Sequence, residues 1–167
     1  LTAALMALAP ASALADATPE PTFSPAEDTA PNDGTRVLIV GDSITGFPGC
    51  WRAHLWQAVT DAGYDVNMVG TRHLDECGGL TNAAGELWDP DNTGISGITV
   101  AGMYVRIGRD GLLYQTEPDV VVAMLGTNDL MGGANADHLM TQYGLLVDLI
   151  RQTIPDRAHR HRRTAAH

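Results

Sequence analysis

The sequence has no lysine, only two cysteines, and no apolar run as long as a membrane span. Each absence removes a class of function. A phosphate-cradling loop needs its lysine, so a P-loop is excluded. Two cysteines cannot build a four-cysteine zinc site or a disulfide-rich miniprotein. A bilayer-spanning helix needs about 20 predominantly apolar residues, and no segment supplies them. Basic charge is also scarce: ten arginines face 20 acidic residues, for a net charge of −10. Nucleic acid and anionic membranes both call for a basic face, so neither is an expected partner. What is present is a chain of 167 residues, 44% hydrophobic and 18% charged. That is enough for one globular domain with a core.

The two ends differ in composition from the body. Residues 1–15 are apolar and small, with no charge before Asp16, and close on Ala13-Leu14-Ala15, a small-x-small signature. The segment reads as the apolar part of a secretory signal peptide cleaved after Ala15, which makes the expected location extracellular. Residues 16–34, rich in Pro, Thr, Ala and acid, read as an extended, solvated linker. In an oxidising compartment Cys50 and Cys77 are the candidates for a disulfide, which would tether a long loop to the first helix. At the other end, residues 157–167 hold four of the ten arginines and three of the six histidines. An alternating α/β chain should enter another buried strand there, and Arg and His cannot be buried in one. A shifted reading frame beyond codon 156 explains the tail, with a natural solvated basic tail as the alternative.

Between them, residues 35–156 alternate strand and helix. Residues 35–41 (TRVLIVG) and 119–125 (DVVVAML) are short, β-branched apolar runs, each followed by a glycine-containing turn. Residues 50–62 place Trp51, Leu55, Trp56 and Val59 at helical spacing. Residues 65–70 read as a second strand, 98–107 and 134–153 as helices, and the glycine-rich stretch 71–97 as loop. The order predicts parallel strands between helices, a three-layer α/β/α sandwich. In such sheets ligands sit at the carboxyl ends of the strands. The polar motifs Gly41-Asp42-Ser43 and Gly126-Thr127-Asn128-Asp129 both fall there.

Ser43, in a tight turn after a strand, would have an exposed hydroxyl and a free N–H, which suits a nucleophile. The bland alternative is that Asp42 or Ser43 only caps the next helix. Asn128 could turn its amide to the same rim and stabilise an oxyanion, or be an ordinary turn residue. Gly94 and Gly97 could be loop punctuation.

Three strings in order, Gly41-Asp42-Ser43-Ile44-Thr45-Gly46, Thr93-Gly94-Ile95-Ser96-Gly97 and Gly126-Thr127-Asn128-Asp129, resemble the SGNH (GDSL-type) hydrolase superfamily. The run GDSITGFPGCWRAHLW, with Cys77-Gly78 and DPDNTGISG, looks most like secreted bacterial acetylxylan esterases of carbohydrate esterase family 3. The resemblance spans residues 35 to 155 and implies a flavodoxin-like SGNH fold, C-terminally truncated, with residues 35–156 an incomplete hydrolase domain. It implies Ser43 as nucleophile, and an oxyanion hole made of the N–H groups of Ser43 and Gly97 with the amide of Asn128. Thr93 and Ile95 stand where those esterases carry Glu and His, a departure that bears on sugar specificity.

The superfamily also carries Asp-x-x-His near its C-terminus, the His acting as general base. Asp156-Arg157-Ala158-His159 has that spacing. It directly follows the helix after the Asn128 turn, where a strand belongs, so it is read as a chance match. His54 reads as a solvated helix residue, His73 as a loop residue, and His138 as a helix residue without a partner. Asp89-Pro90-Asp91-Asn92-Thr93-Gly94 imitates half of a calcium loop, but position 12 is Val100 rather than Glu. No cofactor or metal is called for. The expected function is a secreted ester hydrolase acting on a small-molecule or polysaccharide ester, weak or inactive for want of a base. The alternative is a non-catalytic carbohydrate-binding relic or pseudogene product.

Overall fold

The computed structural model describes residues 34–154. The expected signal segment, nearly all of the linker, and the basic tail with Asp156 and His159 lie outside them. In chain order the elements are β1 (Thr35–Gly41), α1 (Ser43–Gly46), α2 (Trp51–Asp61), β2 (Val66–Val69), β3 (Arg72–His73) and β4 (Asp91–Gly94). They continue with α3 (Val100–Gly108), α4 (Leu112–Thr116), β5 (Val120–Met124), α5 (Thr127–Met131) and α6 (Ala136–Thr153).

β1 is the centre of the sheet. One of its edges pairs in parallel with β5, from Val37 opposite Val120 to Gly41 opposite Met124. Its other edge is divided lengthwise. β2 takes the first half, from Thr35 opposite Val66 to Leu38 opposite Val69, and β4 takes the end, with Val40 opposite Thr93 and Gly41 opposite Gly94. β3 pairs antiparallel with β4.

Side chains alternate along a strand, so successive residues of β1 feed two cores. Leu38 and Val40 join Val100, Met103 and Ile107 of α3, Leu112 and Leu113 of α4, and Leu146 of α6. Ile39 joins Ala53 and Trp56 of α2, Val66 and Met68 of β2, and Trp88. Each such side chain stabilises by about 2 kcal/mol relative to exposure. Helices therefore cover both faces, as the alternating pattern predicts.

One expectation is corrected. The stretch 71–97 is not wholly loop, because β4 lies inside it and all four of its residues are buried. Asp-Asn-Thr-Gly has neither apolar alternation nor a β-branched run, so no strand signal shows. Its polar groups are satisfied locally instead: Asn92 Nδ2 donates to Pro90 O at 3.0 Å, and Asn92 Oδ1 accepts from Gly94 N at 2.9 Å. Thr93 Oγ1 accepts from Thr71 N at 3.1 Å. His73 likewise lies in a strand, β3, rather than in a loop.

Candidate active site

The site grows from the carboxyl end of β1. Asp42, buried, caps α1 by accepting the Ile44 N–H on Oδ1 at 2.9 Å. Because Asp42 is the cap, Ser43 becomes the first helical residue and stands exposed. Its N–H therefore has no intrahelical acceptor. The glycines here are required by close approach: a Cβ on Gly94 would run into the backbone of Gly46, and one on Gly41 into the Thr45 side chain. This contact seats α1 on the end of β4.

Gly97 lies in the turn after β4. Ile98 N donates to Ile95 O at 3.2 Å, and Gly97 sits between them at φ +76°. A positive φ at this third turn position favours glycine. Ile95 N donates to Gly41 O at 2.9 Å, which holds the turn beside the one that carries Ser43. Asn128, in the first turn of α5, completes the rim. Its Nδ2 donates to Ile98 O at 2.9 Å, while the buried Asp129 carboxylate accepts from Val100 N at 3.1 and 3.3 Å. The amide thus uses one N–H to hold the Gly97 turn, and its second N–H is not part of that bond.

Three supports were missed by sequence reasoning. Asp129 is one. Another is Tyr143 of α6, whose hydroxyl accepts from Leu125 N at 2.9 Å and donates to Leu125 O at 2.8 Å, pinning the end of β5. Burial, chiefly, and then the nearby Asp129 and Asp42 carboxylates push its pKa up, which keeps the phenol a donor. The third is Arg52 of α2, only 1% exposed. It donates to Thr45 O at 2.8 Å, Pro90 O at 2.9 Å and Leu74 O at 3.5 Å, and lies 5.3 Å from the Trp88 ring centre. Burial lowers its pKa and Asp91 opposes the shift. A signal did exist: Arg52 stands four residues before Trp56 on the apolar face of α2.

Two cavities lie near these residues. One, of about 390 Å³, is lined by Ser43 with residues 44 and 47–51. The other, of about 870 Å³, is lined by Trp56, Tyr64, His73, Glu86 and Trp88 among others, and by none of Ser43, Gly97 or Asn128. The larger cavity is therefore not the one beside Ser43. His73 Nδ1 is bonded to Asp91 Oδ1 at 2.7 Å. His54 and His138 are exposed on α2 and α6. Asp89, the first carboxylate of the calcium-like string, accepts from Met68 N at 2.9 Å and Asp91 N at 3.2 Å. Among the described residues no group of three or more His, Cys, Asp or Glu is placed to hold a metal, and no helix is long and apolar enough to cross a membrane. Cys50 and Cys77 form a disulfide, with Cα atoms 5.4 Å apart, that ties the long loop to the start of α2.

An exposed serine thus follows the central parallel strand, the Gly97 turn is held to Gly41 O at the same strand end, and the Asn128 amide is bonded to that turn. Residues 39–159 match the GDSL-like lipase/acylhydrolase family, and the chain belongs to that family. Solved structures agree. An acetyl esterase, a serine-to-alanine mutant with an acetate ion, is 32% identical with a TM-score of 0.60, over 72% of this chain and 57% of its own. A carbohydrate esterase family 3 protein from Talaromyces cellulolyticus is 33% identical at 0.59, with the same coverages. The Clostridium thermocellum family 3 carbohydrate esterase is 29% identical at 0.58, over 73% of this chain and 57% of its own. The fold is thus that of the SGNH hydrolases, and the chain spans little more than half the length of these structures. No curated protein matches.

Proposed function

We propose that the chain is a secreted serine ester hydrolase that removes acetyl groups from carbohydrate esters through an acyl-enzyme on Ser43. The observation that carries this reading is the bonded rim, in which the turn bearing Gly97 is tied to Gly41 O and to the Asn128 amide. Ser43 Oγ attacks the ester carbonyl. The developing oxyanion takes the N–H groups of Ser43 and Gly97 and the second Nδ2–H of Asn128. The Ser43 hydroxyl proton goes to the sugar oxygen, which leaves as the alcohol. Water then attacks the acyl-serine, releasing acetic acid (acetate plus a proton in solution) and returning a proton to Ser43 Oγ. The family 3 carbohydrate esterases among the similar structures support the substrate class. The apolar start and the disulfide support secretion.

Activation of Ser43 is the weak step. Among the described residues no histidine lines the Ser43 cavity, and a serine without a base is a poor nucleophile at neutral pH. Asp156 and His159 fall within the family match but outside the described residues. The expected activity is therefore feeble. The test is acetate release from p-nitrophenyl acetate and from acetylated xylan by the parent chain, Ser43→Ala and His159→Ala. Slow turnover abolished only by Ser43→Ala supports the reading. Turnover that survives Ser43→Ala overturns it. Full activity lost in His159→Ala would make Asp156 and His159 the acid–base pair.

A further inference from the structure

The cavity beside Ser43 has an unusual wall. Ile44 is 50% exposed and Phe47 63% exposed, and Pro48, Cys50 and Trp51 continue the same surface. No charged residue lines it. The wall is also rigid. Phe47 N donates to Ser43 O at 2.9 Å, and Trp51 Nε1 donates to Ile44 O at 3.2 Å. Arg52 holds Thr45 O, and the Cys50–Cys77 disulfide fixes the far end. A large aromatic left in water on a segment held this firmly is preorganised for a ligand.

The shape of the wall selects the ligand. An acyl chain is apolar all round and is best served by an enclosed pocket. This surface is apolar on one side and open to water on the other, and it lacks charge. It suits a neutral molecule with one apolar face and hydroxyls elsewhere, which describes a pyranose ring. We propose that Phe47 is the stacking platform for the sugar ring of the ester, so that the wall receives the alcohol part of the substrate and not its acyl part. This inference rests on the carbohydrate-ester reading and adds to it which residue recognises the sugar.

The experiment uses the full chain carrying Ser43→Ala, so that binding is read apart from turnover. Xylohexaose is titrated up to about 10 mM by calorimetry. Phe47→Ala should weaken its binding about fivefold to tenfold, and Phe47→Tyr, which keeps the ring face, should restore it to within about twofold. Equal binding with and without Phe47, or no binding in this range, overturns the proposal. In chains with Ser43 intact, the ratio of p-nitrophenyl acetate to p-nitrophenyl butyrate hydrolysis should not move with Phe47→Ala. A shift in that ratio with unchanged xylohexaose binding would make the wall an acyl pocket. Failure of the esterase reading shows separately, as hydrolysis indifferent to Ser43→Ala while xylohexaose still depends on Phe47.

Discussion

Two regions of this molecule carry the residue types of a serine hydrolase centre, and they lie apart. At the end of β1 stand Ser43, the proposed nucleophile, and the Gly97 turn held by the Asn128 amide, the proposed oxyanion donors; among the described residues no histidine lines the Ser43 cavity. In β3 and β4 stand a histidine and a buried carboxylate, His73 and Asp91, bonded at 2.7 Å, with His73 lining a different cavity. Residue types alone would assemble a triad from these parts. Placement does not: His73 sits on the antiparallel side strand, where its bond to Asp91 closes the edge of β4. The two regions are joined structurally by Arg52, which bonds Thr45 O in the Ser43 turn and Pro90 O at the start of β4, and feels Asp91.

Breaking that join gives the largest expected effect. Arg52→Met should leave three carbonyls without their buried donor, costing about 3–5 kcal/mol in all. Calorimetry should show a melting temperature lower by roughly 10 °C or more. A variant as stable as the parent would mean that Arg52 does not hold the regions together. Asn128→Ala acts on one region only. It should slow acylation of Ser43 by about 10²-fold or more, with a smaller loss of stability from the released Gly97 turn. Stopped-flow release of p-nitrophenol reads the first effect and thermal melting the second.

Tyr143→Phe tests the support under the rim, removing both bonds to Leu125 at a cost of about 1–2 kcal/mol. The pH sign follows from the raised pKa. The stabilisation is complete below the ordinary tyrosine value of 10.0 and is lost as pH climbs above it, because the unfolded chain ionises first. Chemical denaturation at increasing alkaline pH should therefore show a fall in stability that is smaller in Tyr143→Phe. The smallest effect sharpens the comparison most. His73→Ala should leave the esterase rate within about twofold of the parent, since its ring serves the other cavity. A loss of ten times that size would show that His73 reaches Ser43.

Much of the fold was legible in the sequence, for definite reasons. β1 is apolar, β-branched and buried towards its end, and α2 and α6 carry helical periodicity, so burial writes their patterns; β5 is as apolar and β-branched, though its five residues are exposed or half-buried among the described residues. β4 was illegible because its burial is secured by side-chain amides, hydroxyls and carboxylates instead of apolar contacts. At the site, Ser43 was legible because Gly-Asp-Ser combines a tight turn with a cap. Of the two readings the cap is observed, with Asp42 accepting the Ile44 N–H, and it leaves Ser43 exposed beside it. The double duty of Asn128 was not legible, since its bond to Ile98 O joins residues 30 apart in sequence. Arg52 was hidden for another reason: a charged helix residue is read as solvated unless its position on the apolar stripe is weighed.

The central claim is that Ser43 is a nucleophile set in a working oxyanion rim. Reaction with a fluorophosphonate, followed by intact-mass measurement and peptide mapping, tests it without needing turnover. The account predicts a single adduct on Ser43, formed slowly, slower still in Asn128→Ala, and at an unchanged rate in His73→Ala. An adduct that persists in Ser43→Ala, or no adduct after prolonged exposure of the folded chain, would contradict it.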